Sequence, residues 1–401
     1  MPTNAEHLQE STKTGEQTGR NDLYERLGVT PVINACGVYT GLGGSILSPA
    51  VWAAMEESNR TFVSMVELLD RSGEILAEIA GAEAARVTPG ASAAITLGTA
   101  ACMTGVDGQK WEQLPDTTGM PDRIIIQRGH HYMYDRCARM TGATLHQVGD
   151  EHGTTPAQLE AAFDESAAVV VFPAHLDGAA GTLPLAEVAA LSRSHDVPTL
   201  VDAAYLVDSA EIIRSFSAAG ADLVCFSAKY FGGPNSGGFI CGRKDLIDAV
   251  AGLDFTRFES GDYRTFGRPF KLDRQVIVGV VVALQEWMSI EPAQRWAGYA
   301  EKVDRLLERA RLNEIEGVTV QPRYFTMEEN LLERPVNCVA LAFDAGSDHT
   351  AHTVSDALLT GKPSIAAMVH EESLVVAVDV MLPGQELIVA DRLNEILAPP
   401  A

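Results

Sequence analysis

The sequence predicts an α/β protein with a mostly parallel central sheet and a smaller α+β terminal domain. Short apolar runs rich in β-branched residues alternate with helix-length segments through the middle of the chain. Such runs are typical of strands that are buried on both faces of a parallel sheet. From residue 318 onward, strand-like runs alternate with one helical segment, which predicts the smaller domain.

The elements can be placed in order along the 401 residues. Apolar runs predict strands at 123–127, 168–173, 198–201, 221–226 and 238–241. Helical periodicity predicts helices at 65–80, 91–103, 276–288 and 292–311. We expect a flexible polar tail at 1–20, an N-terminal segment at 21–60, a large domain at 61–290 and a small domain at 291–401.

The stretch from 197 to 242 carries the most specific chemistry. Its first strand ends on Asp202, and its second delivers Ser227 and Lys229 into the glycine-rich loop around Gly233. In open parallel sheets, ligands bind at the carboxyl ends of the strands. A lysine and an acid placed there suit pyridoxal phosphate, because lysine forms a Schiff base and aspartate pairs with the protonated pyridine nitrogen.

The other six lysines support this choice of Lys229. They lie in polar, loop-like or charged helical segments, whereas Lys229 ends a strand among small apolar residues. Burial there would lower its pKa and leave it nucleophilic. The alternative is a lysine at a surface junction between strand and loop.

A second anion site is predicted where Gly90, Ala91 and Ser92 open a helix of small residues. Free backbone N–H groups and a hydroxyl at a helix start suit a phosphate, although ordinary N-capping by Ser92 is the competing interpretation. Earlier in the chain, the glycine-rich run at 41–44 is either a simple turn or a loop that brings Asn34 and Tyr39 to the cofactor or substrate.

Two histidines follow predicted strand ends. His130 is placed to stack on a planar cofactor, and His175 to meet the substrate. For either residue the alternative is a structural role, as a surface turn residue or a hydrogen-bonded histidine.

Basic residues cluster between 255 and 274 of this otherwise acidic chain, among them Arg264, Arg268 and Lys271. Such a group predicts an anion site that binds the substrate. A solvated or interface charge cluster is the competing account.

Composition excludes several classes. The net charge of −24 argues against nucleic-acid binding, and no apolar run is long enough to span a membrane. Six scattered cysteines without close pairs indicate a reduced, cytoplasmic protein. His349 and His352 have no accompanying ligand pattern, so we expect no metal.

From about Tyr24 to its end, the chain resembles pyridoxal-phosphate enzymes of the aspartate-aminotransferase fold (fold type I). Within them it is similar to the L-seryl-tRNA selenium transferase-like family, which includes D-glucosaminate-6-phosphate ammonia-lyase. The matching text is PVINACGVYTGLGGSILS (31–48), GAEAARVTPGASAA (81–94), LVDAAY (200–205), FSAKYFGGPNSGGFICGRKDLI (226–247) and GRPFKLDRQVIVGVVVAL (267–284).

The resemblance implies roles for individual residues. Lys229 would be the Schiff-base lysine, Asp202 the partner of the pyridine nitrogen, and His130 the stacking ring. Ser92, Ser227 and the amides around Ala91 would hold the phosphate. The resemblance also implies a homodimer or higher homo-oligomer, with the segment from Arg268 to Lys271 reaching the neighbouring site.

Two departures shape the functional expectation. The selenium transferases carry an N-terminal RNA-binding extension, and here the family-like text begins within about 30 residues of Met1, so we expect no tRNA substrate. Relatives tend to place an arginine after a Pro-x-Ile turn near the C-terminus, whereas this chain has Pro363-Ser-Ile-Ala-Ala-Met368.

We therefore expect a lyase that eliminates a β-hydroxyl and then ammonia from a small amino acid or amino sugar acid, giving a 2-keto acid. A racemase, epimerase or amino-acid transferase is the alternative, since the same carbanion serves all of them. A non-catalytic protein of the same fold is disfavoured by Lys229 and Asp202.

Overall fold

The computed structural model describes residues 22–312, 315–328 and 330–397, so the predicted tail at 1–20 lies outside the described residues. The strands are β1 (Val32–Ala35), β2 (Ala84–Thr88), β3 (Arg123–Gln127), β4 (Thr144–Val148), β5 (Ala167–Pro173), β6 (Thr199–Asp202), β7 (Leu223–Ser227), β8 (Gly238–Gly242), β9 (Val318–Phe325), β10 (Leu331–Leu332), β11 (Cys338–Phe343), β12 (Ser364–His370) and β13 (Ser373–Ala377). The helices are α1 (Asp22–Arg26), α2 (Pro49–Ser58), α3 (Met65–Ala80), α4 (Gly90–Thr104), α5 (Gly108–Gln113), α6 (Asp135–Arg139), α7 (Pro156–Glu160), α8 (Leu185–Ser194), α9 (Ala210–Ala218), α10 (Lys244–Leu253), α11 (Arg274–Ser289), α12 (Pro292–Ala310), α13 (Ala351–Thr360) and α14 (Gln385–Leu397).

The large sheet has seven strands in the order β2-β8-β7-β6-β5-β3-β4. Six of them run in one direction, and only β8 is antiparallel to its neighbours β2 and β7. The predicted mostly parallel central sheet is therefore confirmed, and it brings the carboxyl ends of six strands to one edge.

Helices cover both faces of this sheet, which explains the unbroken apolar runs of its strands. Along β7, Leu223 packs into the core beneath α4 and α10, whereas Val224 packs into the core on the opposite face. Helix α4 lies very close to the sheet at Gly98, where an added Cβ would stand 2.5 Å from a Leu200 methyl group. Glycine therefore sets the distance at which α4 crosses the strands.

The second sheet has six strands in the order β1-β12-β13-β11-β9-β10. Strand β1 pairs in parallel with β12, so Ile33 and Ala35 from the N-terminal segment belong to the core of the C-terminal domain. The chain then returns to the large domain, where α2 packs against α11. The loop between β1 and α2 consequently crosses the space between the two sheets.

No single helix among the described residues is both long and apolar enough to cross a membrane. Helices α11 and α12 meet those criteria only when taken together, and they are bent by 88° at their junction. Within the same residues, no group of three or more histidine, cysteine or acidic side chains is arranged to hold a metal ion.

Candidate active site at the carboxyl edge of the large sheet

Three of the predicted functional residues, Asp202, Ser227 and Lys229, lie together where β6 and β7 end. Asp202 is the last residue of β6, and Ser227 is the last residue of β7. Ser227 pairs with Gly238, the first residue of β8, and Gly238 pairs on its other side with Thr88 at the end of β2. The sheet thus places the Asp202 carboxylate and the turn that carries Lys229 on adjacent strands.

Lys229 lies in a 3-10 turn, Ala228–Phe231, which ends at Gly232. Its side chain is half-buried, and Nζ donates a hydrogen bond of 2.6 Å to Oγ1 of Thr40. Nζ also lies 4.8 Å from the centre of the Tyr230 ring. Burial lowers the pKa of Lys229, which increases the fraction of neutral, nucleophilic amine.

The loop between β1 and α2 covers this lysine. Oγ of Ser45 donates a hydrogen bond of 2.6 Å to the carbonyl of Gly233, and the Gly233 amide donates to the carbonyl of Ala228 at 2.8 Å. Gly233, predicted as a cofactor residue, is thus the point where the N-terminal loop is tied to the lysine turn.

Asp202 is buried and held by two donors. The Tyr132 hydroxyl donates to Oδ2 at 2.7 Å, and the Ala204 amide donates to Oδ1 at 3.1 Å. The pKa of Asp202 is raised overall, because the effect of burial exceeds that of the two hydrogen bonds and the charge of His175, which lower it. A cationic partner at this carboxylate would favour its ionised form, as a protonated pyridine nitrogen does.

The N-terminus of α4, where an anion site is predicted, lies at the same edge of the sheet. Its N-cap residue, Pro89, offers no side-chain hydrogen bond to the first turn, and Ser92 is exposed whereas Ala91 is buried. Gly90 has a φ of +78°, and an added Cβ on Gly238 would stand 2.8 Å from it. The free amides of this helix of 15 residues can therefore receive a phosphate beside Ser227.

Taken together, this donor set fits pyridoxal phosphate. It offers an amine of lowered pKa for the aldehyde, a buried carboxylate for the ring nitrogen, and an uncapped helix start for the phosphate.

The aromatic residue that contacts Asp202 is Tyr132, two residues after His130, which is predicted to stack on the cofactor. His130 is 0% exposed, and its ring packs edge-on against Phe172 at 4.7 Å. Its Nε2 lies 3.1 Å from the carbonyl of Leu176, and burial lowers its pKa to about 4. These contacts assign His130 to the core, because the 3-10 turn after β3 directs it inward.

His175 lies where a strand end meets the site, as predicted. Its ring centre is 5.6 Å from that of Tyr132 and 6.0 Å from that of Tyr205. Tyr205 in turn lies 5.8 Å from Tyr230, beside the lysine. These rings form a continuous aromatic wall from Asp202 to Lys229.

A cavity of about 370 Å³ opens beside Lys229. The loop between β1 and α2 lines one side, the start of α12 another, and the turn after β13 a third. Its walls are rich in aromatic residues, including Tyr205, Trp296 and Tyr324. This volume lies within the usual range for small-molecule sites.

Among the described residues, the lining of this cavity does not include the predicted substrate residues Asn34, His175, Arg264, Arg268 and Lys271. Both polar ends of the Asn34 side chain are used within its own turn, with the Cys36 amide and the Gly37 carbonyl. Arg264 donates to two backbone carbonyls of its own loop, and Arg268 pairs with Glu259 at 2.8 Å. Lys271 is exposed. Within one described chain, these residues do not line the cavity.

Three residues of the site were missed in the sequence. Tyr132 follows a predicted strand end by a few residues, and Thr40 sits in the glycine-rich loop that was open to two interpretations. Asp379 follows the apolar run of β13, which is the same signal that identified Asp202.

Comparison with known proteins agrees with this geometry. A model of the beta-eliminating lyase family matches residues 80–330, and the chain belongs to that family. It is a pyridoxal-phosphate-dependent lyase of fold type I, as the resemblance implied. The solved structure of a D-glucosaminate-6-phosphate ammonia-lyase superposes with a TM-score of 0.80 at 27% identity, covering 94% of this chain and 98% of that one.

Two curated relatives carry different activities. The chain is 32% identical to a 5'-C-glycyluridine monooxygenase-decarboxylase from Streptomyces sp, over 98% of this chain and 95% of the relative. It is also 32% identical to the D-glucosaminate-6-phosphate ammonia lyase of Salmonella typhimurium (strain 14028s / SGSC 2262), over 66% of this chain and 70% of the relative.

Proposed function

We propose that this enzyme removes a β-hydroxyl and then the amino group from a hydroxylated amino acid of the amino sugar acid type, releasing a 2-keto acid and ammonia. The observation that carries the proposal is the placement of Lys229 and Asp202 at the ends of adjacent strands, beside the uncapped start of α4. The name of the Salmonella relative supports the substrate type.

Lys229 holds the cofactor and then acts as the base. When bound, pyridoxal phosphate draws electron density from the substrate Cα, so that the Cα proton becomes acidic. Nζ of Lys229, with its lowered pKa, takes that proton, and the Thr40 hydroxyl at 2.6 Å orients the amine. Loss of the β-hydroxyl as water, followed by hydrolysis, gives the keto acid and ammonia.

Asp202 and Tyr132 set the electrostatics at the other end of the ring. The carboxylate keeps the pyridine nitrogen protonated, and the Tyr132 hydroxyl fixes the carboxylate in place. We assign the ring contact to the aromatic wall that contains Tyr132 and His175 rather than to His130.

The assembly we propose is a homodimer. Large apolar side chains stand exposed on one described chain, including Phe62 at 90%, Trp52 at 60% and Met133 at 73%. A second copy would remove them from water. In such a dimer, Arg264, Arg268 or Lys271 supplies the anion contact of the neighbouring site. That residue would replace the arginine that relatives tend to place after the Pro-x-Ile turn.

The state of the cysteines and the net charge support a cytoplasmic enzyme that acts on a small-molecule substrate. All six cysteines are unpaired, and a charge of −24 disfavours nucleic-acid partners.

The proposal is tested by incubating the holoenzyme with D-glucosaminate, its 6-phosphate and β-hydroxy amino acids, and measuring ammonia and 2-keto acid. We expect both products in equal amounts, without oxygen uptake. Epimerised substrate without ammonia would indicate the racemase alternative, and no change in any compound would contradict the proposed reaction.

Oxidative decarboxylation is a second candidate, favoured by the match to the Streptomyces relative over 98% of this chain. That reaction consumes O₂ and releases CO₂, whereas elimination does neither. Running the same assay with and without oxygen, with CO₂ measured, separates the two.

A further inference from the structure

Four charged side chains line the cavity beside Lys229 in the described part of the chain: Lys229, Asp208, Arg295 and Asp379. Lys229 serves the cofactor under the proposed function. The remaining three determine what charge the substrate's tail encounters.

Asp208 and Arg295 neutralise each other. Arg295 contacts Oδ1 of Asp208 at 3.2 Å, and the Trp296 indole donates to Oδ2 at 3.3 Å. Nη1 of Arg295 also donates to the carbonyls of Trp287 at 2.9 Å and Ile290 at 2.6 Å, and Nη2 donates to the Asp208 carbonyl. Its Nε is buried and lacks a hydrogen-bond partner among the described residues, but the guanidinium group stacks on the Trp287 ring at 4.0 Å and its charge is already paired with Asp208.

Asp379 is the remaining charged residue of the cavity lining. Its Oδ1 is buried and has no hydrogen-bond partner among the described residues. Burial raises the pKa of Asp379 to about 6, although the backbone amides of Asp379 and Val380 and the charge of Lys302 act to lower it. A buried carboxylate oxygen without a donor is costly and is rare in folded proteins, which points to a ligand group that satisfies it.

The turn that carries Asp379 is fixed rather than loose. Nζ of Lys302 donates to the carbonyls of Val378, at 3.2 Å, and Met381, at 2.7 Å. The Val378 amide donates to the Asn337 carbonyl at 2.9 Å. Lys302 is therefore used by the backbone, and the Asp379 carboxylate is held toward the cavity.

Asp379 and Lys229 contact the same short loop, which lies between β1 and α2. An added Cβ on Gly37 would stand 3.3 Å from Oδ1 of Asp379, and Thr40 bonds Nζ of Lys229. Two residues lie between Gly37 and Thr40, so the Cα atoms of Gly37 and Thr40 are at most about 11 Å apart. Asp379 and Lys229 therefore line one cavity at two nearby points of the same loop, as a ligand that contacts both requires.

We propose that Asp379 accepts a hydrogen bond from a hydroxyl group of the substrate's tail and makes the enzyme prefer an unphosphorylated substrate over its phosphate ester. This inference rests on the proposed function for the amino-acid end of the substrate. A phosphate monoester carries a charge of about −1.5 to −2, and it would face the Asp379 carboxylate without a free cation from the described cavity lining.

The test compares D-glucosaminate with D-glucosaminate 6-phosphate on the holoenzyme. Dissociation constants are measured by calorimetry, and ammonia release is measured separately. We expect the unphosphorylated compound to bind at least about tenfold more tightly, as a charge-assisted hydrogen bond provides. Asp379→Ala should remove that advantage, and Asp379→Asn should strengthen binding of the phosphate ester.

Asp356→Asn is the matched control, because Asp356 is exposed on α13 of the same domain, away from the cavity lining. Retained cofactor absorbance shows that each variant is folded. Equal or tighter binding of the phosphate ester by the wild type, failure of both compounds to bind, or unchanged binding in Asp379→Ala would overturn the inference. A binding preference without ammonia release would instead contradict only the reaction, and equal ammonia release from both compounds would contradict only the preference.

Discussion

Replacing Asp379 by asparagine should stabilise the substrate-free protein at alkaline pH and have little effect in acid. Burial raises the pKa of Asp379 from 3.8 to about 6, so the folded state binds this proton more tightly than the unfolded state. Stability from this group is therefore present at low pH and is lost as pH rises from about 4 to about 6. Above that range the wild type bears the cost of an ionised carboxylate in a largely buried position.

The size of the effect follows from the pKa difference. A change from 3.8 to about 6 corresponds to about 3 kcal/mol, which is an upper figure because the residue keeps partial exposure. Asparagine removes the charge but leaves its amide to be satisfied, which costs about 1–2 kcal/mol. We expect a net gain on the order of 1–2 kcal/mol in the free energy of unfolding at pH 8.

Guanidinium denaturation of the cofactor-free protein at pH 8 and pH 5, with Asp356→Asn as the control, measures this difference. Because part of the wild-type cost is relieved at pH 5, the advantage of Asp379→Asn should be smaller there. A variant that is less stable than the wild type at pH 8, or a difference that does not depend on pH, would refute the conclusion that burial of the Asp379 carboxylate destabilises the substrate-free protein.

Three further substitutions test the site. Asp202→Asn should retain the cofactor but lose about 10²-fold or more in turnover, because the pyridine nitrogen is no longer held protonated; near wild-type turnover would refute this role. Tyr132→Phe keeps the ring but removes the 2.7 Å hydrogen bond to Asp202, so kcat should fall about tenfold with cofactor content unchanged. Alanine at Arg264, Arg268 or Lys271 should weaken substrate binding about ten- to hundredfold if that residue reaches the neighbouring site, and an unchanged KM in all three variants would assign the segment a structural role.

The carboxyl edge of the large sheet could be predicted because buried parallel strands leave a strong signal. Unbroken apolar runs located β6 and β7, and the polar residues that follow them, Asp202 and Lys229, then lie at the same edge. Neither residue lies on β8, so the antiparallel direction of β8 does not change where they are placed.

The aromatic contact could not be predicted from the same signal. His130 and Tyr132 are two residues apart after β3, and a single 3-10 turn decides which of them points into the core. His130 is selected for the core by Phe172 and by the Leu176 carbonyl, both distant in sequence. Such contacts depend on tertiary packing, which local sequence patterns do not contain.

The role of the N-terminal segment was hidden for a similar reason. Strand β1 is short, and its partner β12 lies more than 300 residues further along the chain. That pairing stretches the following loop across both domains and brings Thr40 to Lys229 and Gly37 to Asp379. The sequence indicated a glycine-rich turn there, but not what the turn contacts.

The central claim is that Lys229 carries the cofactor, and borohydride reduction followed by peptide mass mapping tests it most directly. Reduction of the yellow holoenzyme should fix a pyridoxyl group on the peptide that contains Lys229, and Lys229→Ala should abolish both the colour and the adduct while the protein stays folded. The matched control is Lys244→Ala, because Lys244 is exposed and pairs with Asp248 on α10. An adduct on any of the other six lysines, or none in the wild type after addition of pyridoxal phosphate, would contradict the account.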